Sequence, residues 1–154
     1  MSEQHFSPEI KEGVPLSEVW IIDDEEEITQ TLLRIWGRKF AGKYVLRNFY
    51  TAQEALGEIE RLAKEKGILP KIIFVDGQLK KDQGELAQGD VVIQKIRALK
   101  DISQPQLIAH SAVGEINKEM IEAGADLSFR KSLDFMKLSK FLEDPEEYKE
   151  EEKK

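Results

Sequence analysis

The 154-residue chain contains no cysteine. That absence excludes a disulfide framework, a thiolate zinc site and a cysteine nucleophile. No apolar run approaches the roughly 20 residues of a membrane-spanning helix. The opening stretch, residues 1–16, is polar and carries Glu3, Glu9 and Glu12, the wrong composition for a secretion signal. A cytoplasmic protein is therefore expected. Positive charge is also short: 23 Lys and Arg stand against 30 Asp and Glu, a net of −7. A surface that neutralises nucleic-acid phosphates needs a basic patch, so neither nucleic acid nor a membrane is an expected partner.

What is present fits one globular domain, with 40% hydrophobic and 34% charged residues. Residues 1–17, with Pro8, Gly13 and Pro15, read as an extension without a regular pattern. Residues 18–142 read as the domain, and 143–154 as an acidic tail. The tail holds seven acids and three lysines, a net of −4, and is expected to be solvated and frayed.

Between these ends, short apolar runs alternate with amphipathic stripes. Strands are predicted at 19–22, 44–46, 72–75, 105–109 and 126–130. The run Ile72-Ile73-Phe74-Val75 is apolar throughout, as befits a strand covered on both faces. Helices are predicted from stripes such as Ile28, Leu32, Ile35 and Trp36, or Ala55, Ile59, Leu62 and Ala63. Thr51 and Glu54 have the spacing of a capping box, Asp90 is placed to cap the third helix, and Gly124 to end the fourth. Five strands alternating with five helices predict an α/β fold, a doubly wound parallel sheet with helices on both faces.

In such a sheet the C-terminal strand ends meet on one rim, where ligands bind. The first strand delivers Asp23 and Asp24, the third Asp76, the fourth Ser111 and the fifth Lys131. Three neighbouring carboxylates repel one another unless a cation sits among them. Mg²⁺ suits such a set, being satisfied by one or two carboxylates, waters and a phosphate. A carboxylate beside Mg²⁺ can act as a nucleophile towards phosphorus, with a lysine ammonium neutralising charge. A serine hydroxyl can donate to a phosphoryl oxygen.

Ile21-Ile22-Asp23-Asp24-Glu25, the strand running into Asp76, Ser111-Ala112, and Ala123-Gly124-Ala125-Asp126 leading to Lys131 resemble receiver domains of two-component response regulators. The resemblance runs from about residue 19 to 142. It implies the flavodoxin-like strand order 2-1-3-4-5 and a stand-alone receiver. Asp76 would be the phosphoacceptor, Ser111 the switch hydroxyl and Lys131 the counter-charge. Asp23, Asp24, Asp76 and the backbone carbonyl of Gln78 would hold the metal. The implied partners are a histidine kinase or histidine phosphotransfer protein and a downstream protein. Enzymatic action on a separate substrate is not expected, beyond slow self-dephosphorylation.

The chain also departs from that pattern. Gly77 follows the phosphoacceptor where an apolar residue is usual, and Lys80-Lys81 stand where a proline is common. The loop from Gly77 to Gln88 is longer than in relatives. Ser132 replaces the proline after the lysine, and Ser128 occupies the aromatic switch position. These departures leave open a receiver-like interaction module that works without phosphorylation. An aspartate-nucleophile phosphatase is disfavoured, because Gln78 stands where the second aspartate of such enzymes lies.

Overall fold

The structure, a computed structural model, describes residues 3–6, 16–79 and 81–149; side chains of 3–6 and 81–83 are not described. Five parallel strands form the centre: β2 (Ser17–Ile22), β3 (Tyr44–Phe49), β4 (Ile72–Val75), β5 (Gln106–Ser111) and β6 (Leu127–Arg130). One further strand, β1 (Glu3–Phe6), precedes them. The sheet order is β1-β3-β2-β4-β5-β6. Counted from the first parallel strand, the five read 2-1-3-4-5, the expected doubly wound order. The helices are α1 (Glu26–Lys39), α2 (Ala52–Lys64), α3 (Gly89–Arg97), α4 (Gly114–Ala123) and α5 (Phe135–Glu143).

The extension was expected to be irregular, yet Glu3–Phe6 pairs antiparallel with β3, Glu3 opposite Phe49 and Phe6 opposite Leu46. An edge strand leaves a row of unpaired N–H and C=O groups, and β1 satisfies that row on β3. Residues 7–15 of the extension and 150–154 of the tail lie outside the described residues. Within the nearer part of the tail, Pro145 is buried. Tyr148 sets its ring 5.6 Å from Phe129 and 5.7 Å from Phe141.

Both faces of β4 are covered by apolar side chains, which explains its unbroken apolar run. Ile73 and Val75 face α2, α3 and α4, among Ile59, Val92, Ile93, Ile96 and Met120. Ile72 and Phe74 face α1 and α5, among Leu33, Trp36, Leu138 and Phe141. Burying each such side chain contributes ~1.5–3 kcal/mol, so the strand that carries Asp76 is held rigidly from both sides. Thr51 caps α2, its Oγ1 accepting from the Glu54 N–H at 3.2 Å. Asp90 does not cap α3: the N-cap is Gln88, and Asp90 lies in the first turn. No helix of the described residues is long and apolar enough to cross a membrane.

Candidate functional site

Each parallel strand ends at one rim, and the ladder itself sets the position of the acids. The Asp23 N–H donates to the Phe49 carbonyl at 3.0 Å, and the Asp76 N–H to the Ile22 carbonyl at 2.9 Å. The two residues therefore leave β2 and β4 side by side. Asp23 and Asp76 are buried and Asp24 is half-buried, and one carboxylate oxygen from each falls within 4.8 Å of the others. Asp23 Oδ1 accepts from the Glu25 N–H at 2.9 Å. Asp76 Oδ1 accepts from the Gln78 N–H at 3.3 Å. These bonds pin one oxygen of each carboxylate and leave the other facing the rim.

Lys131 fills the space between them. Its Nζ lies 2.8 Å from Asp23 Oδ2, 3.1 Å from Asp76 Oδ2 and 2.9 Å from Glu25 Oε1. Neither Oδ2 receives a well-angled hydrogen bond among the described residues, although both are at ion-pair distance. Burial, followed by repulsion from Asp23, pushes the Asp76 carboxyl up to about 7 against the pull of Lys131. Burial likewise raises Asp23, with Lys131 opposing. Burial disfavours the charge on Lys131, but Asp23 and Asp76 together outweigh it and hold the ammonium protonated. One lysine shared between two buried acids thus leaves them under-compensated. A hard divalent cation fits that donor set, since it bonds oxygen and prefers carboxylates.

The turn after Lys131 adopts a conformation that the missing proline did not dictate. No peptide bond among the described residues is cis, and Ser132 takes a left-handed φ of +65°. Lys131 still points at Asp76. Its N–H also donates to the Ser111 carbonyl at 3.2 Å, joining the ends of β5 and β6.

Ser111 is buried, and its Oγ accepts from the Val113 N–H at 3.2 Å rather than meeting Asp76. It nevertheless lies against the acid's strand end: a Cβ placed on Gly77 would come within 3.0 Å of Ser111 Cβ and 2.3 Å of Ile116 Cγ2. Gly77 therefore lets α4 sit directly on the turn after Asp76. The long loop that follows is an ordered excursion closed at its base. Leu79 N–H donates to the Ala87 carbonyl at 2.8 Å, and Gly89 N–H to the Gly77 carbonyl at 3.0 Å. Gln78 and Gln88 form the antiparallel pair enclosed by those bonds. In such a pair the two central residues turn their own N–H and C=O groups outward. That places the Gln78 N–H on Asp76 and leaves its carbonyl out of the ladder. Between the bonds, Lys81–Ala87 winds as short 3-10 turns interrupted at Gly84, φ +63°. Lys80 lies outside the described residues.

Asp23, Asp24, Asp76, Gln78 and Lys131 are thus gathered at one rim, with Ser111 beside them. Two neighbours of the rim escaped the sequence analysis. Glu25, the last residue of the Ile21–Glu25 motif and assigned no role there, shares Lys131. Asn117, outside the apolar positions of α4, is buried against Ser111. His110, next to Ser111 on β5, is buried with its ring 5.9 Å from Phe74.

The same fold occurs in receiver domains of response regulators. Similar solved structures include a two-component response regulator from Legionella pneumophila, with a TM-score of 0.67 and 16% identity over 86% of this chain and 99% of that one. A CheY-like receiver domain from Methylobacillus flagellatus matches with a TM-score of 0.65 and 18% identity, over 84% of this chain and 98% of its own. The Mn²⁺-bound form of response regulator Rcp1 matches with a TM-score of 0.63 and 15% identity, over 86% and 93%. Identity at this level establishes the fold alone. No family model matches the sequence, and no curated protein matches it.

Proposed function

We propose that this chain works as a response-regulator receiver, with Asp76 accepting a phosphoryl group from the phosphohistidine of a histidine kinase or histidine phosphotransfer protein. The observation that carries the reading is the buried ammonium of Lys131, 2.8 Å from Asp23 and 3.1 Å from Asp76. A charge triad of this kind is poor value for stability alone, because desolvation offsets the Coulomb gain. It is well suited to phosphoryl transfer, which asks mainly for in-line positioning and neutralisation of charge.

In the reaction an Asp76 carboxylate oxygen bonds to phosphorus as the bond from phosphorus to the donor's imidazole nitrogen breaks. The bonding pair leaves on the imidazole, and Asp76 becomes an acyl phosphate. The carboxylates of Asp23, Asp24 and Asp76, with the Gln78 carbonyl, are the residues that would hold Mg²⁺. When bound, Mg²⁺ supplies charge neutralisation at the phosphoryl oxygens. Lys131 contributes an ammonium already in place beside Asp76, and Glu25 keeps a third carboxylate on that ammonium until a phosphoryl oxygen displaces it. Ser111 accepts from Val113 with its lone pair, so its own proton is available to a phosphoryl oxygen once the residue moves inward. Burial of Asp76 shields the acyl phosphate from water, which limits turnover to slow hydrolysis of the protein's own modification. The output is contact with a downstream protein.

The direction of Lys131 favours this reading over a phosphorylation-independent module, for which the ammonium has no task at Asp76. The test is a two-dimensional amide spectrum recorded in Mg²⁺ with and without beryllium fluoride. Shifts at Asp76, Ser111 and Lys131 are expected, and Asp76→Asn removes them. A wild-type spectrum unchanged at saturating Mg²⁺ refutes the assignment.

A further inference from the structure

Asn117 belongs to the second turn of α4, four residues into a helix whose outward face is charged. It is nevertheless buried, 4% exposed, and both of its polar atoms bond to the strands that deliver Ser111 and Lys131. Its Oδ1 accepts from the Ser111 N–H at 3.0 Å. Its Nδ2 donates to the Ser111 carbonyl at 3.0 Å and to the Phe129 carbonyl at 3.3 Å. The Ser111 carbonyl receives a further bond from the Lys131 N–H. One side-chain amide therefore grips both sides of the Ser111 residue and reaches β6 two residues before the lysine.

We infer that Asn117 is a positioning residue for phosphoryl transfer to Asp76, fixing the Ser111 backbone relative to Lys131 so that hydroxyl and ammonium reach the phosphoryl group together. The inference rests on the reading of Asp76 as phosphoacceptor. Three features lead to it. An amide bonded to both the N–H and the C=O of one residue fixes the two peptide groups that flank it, and so the position and tilt of that residue, which an apolar side chain cannot do. The gripped residue is the one that carries the rim hydroxyl, whereas the carboxylates receive no bond from Asn117. The same helix is pressed on the other side of the site, where Ile116 and Met120 occupy the space that a Cβ on Gly77 would need. Helix α4, Ser111 and the start of the Lys131 turn are thereby one mechanical unit. When Ser111 moves towards a phosphoryl oxygen, its displacement is delivered to α4 through Asn117.

The test is a double-mutant cycle on the wild-type, Asn117→Ala, Ser111→Ala and doubly substituted full chains, read as the rate of Asp76 phosphorylation at saturating phosphoramidate and Mg²⁺. Asn117→Ala is expected to lower the saturated rate about tenfold. It should leave Mg²⁺ affinity, measured by calorimetry, within about twofold, because no bond to a carboxylate is lost. In the Ser111→Ala background the same substitution should have little further effect, since the group it positions is gone. Equal effects in both backgrounds overturn the inference and make Asn117 a structural residue only. If the wild type takes no phosphoryl group, the reading of Asp76 fails, and the inference with it. If Asn117→Ala does not fold, the wild-type side-chain amide resonances decide. The Asn117 Nδ2 protons should shift with beryllium fluoride in step with the Ser111 amide, and static resonances overturn the inference.

Discussion

In metal-free buffer at about pH 8, Asp76→Asn should be more stable than the wild type, and linkage gives the size of the gain. The folded carboxyl titrates near 7 against an ordinary value of 3.8. A carboxyl whose folded pKa is raised binds more protons in the native state between those two values, so stability falls as pH rises through that window. Above it the protein carries the full deficit. The difference of 7 and 3.8 is 3.2 units, and at about 1.36 kcal/mol per unit the ceiling is about 4 kcal/mol. The physical content is two buried carboxylates sharing one ammonium, and asparagine keeps the shape while removing one charge. For a chain of this size about 1 kcal/mol moves Tm by about 2–4 °C, so thermal melts and urea titrations both resolve the gain. Near pH 4 the two proteins should be close to equal, because the wild-type carboxyl is then mostly protonated. Mg²⁺ should narrow the gap at the higher pH by stabilising the wild type more than the variant. An Asp76→Asn protein that is no more stable than wild type in EDTA, or whose advantage is independent of pH, refutes the electrostatic account of the rim.

Other consequences concern the residues around it. Burial, then the nearby Lys131, depresses His110 to about 3 from 6.5, so the unfolded chain binds a proton there that the folded chain does not. Stability is complete above about pH 6.5 and declines below it, so between that value and about pH 4 the wild type should lose about 3 kcal/mol more than His110→Gln in urea titrations; parallel pH profiles would contradict the burial of a neutral ring. A Cβ at Gly89 meets the Asp76 carbonyl at 2.4 Å and Gly77 Cα at 2.8 Å, both backbone. Gly89→Ala should therefore cost about 3 kcal/mol, whereas Gly57→Ala, exposed in α2 with nothing within 4 Å, should gain about 0.5–1 kcal/mol. Equal outcomes for the two glycines would show that the loop base is not packed as described.

The parts legible in the sequence are those where one residue type answers to one environment. A continuous apolar run followed by an acid announced β4 and Asp76, because only a strand covered on both faces tolerates four such residues in a row. Asp23 was legible for the same reason, closing the run Val19–Ile22, whereas Lys131 follows the mixed strand Leu127–Arg130 and was legible through the resemblance of the Ala123–Asp126 motif that leads to it. Asn117 was not, since a polar residue in a helix reads as solvent-facing, and only the fold shows that Ser111 lies across from it. The strand Glu3–Phe6 escaped notice because its four residues have no apolar alternation, and its pairing is supplied by the exposed edge of β3. The loop from Gly77 to Gln88 offered only turn-forming composition. Its closure depends on backbone bonds between Gly77, Leu79, Ala87 and Gly89, which carry no side-chain signature.

The account turns on Asp76 as a Mg²⁺-dependent acceptor of phosphoryl groups, and intact-protein mass spectrometry after incubation with a small phosphoramidate addresses it most directly. With Mg²⁺ the wild type should gain the mass of one phosphoryl group, lost again in alkali as an acyl phosphate would be, and Asp76→Asn should gain none. No adduct on the wild type with Mg²⁺ present, or an adduct that persists in Asp76→Asn, would contradict it.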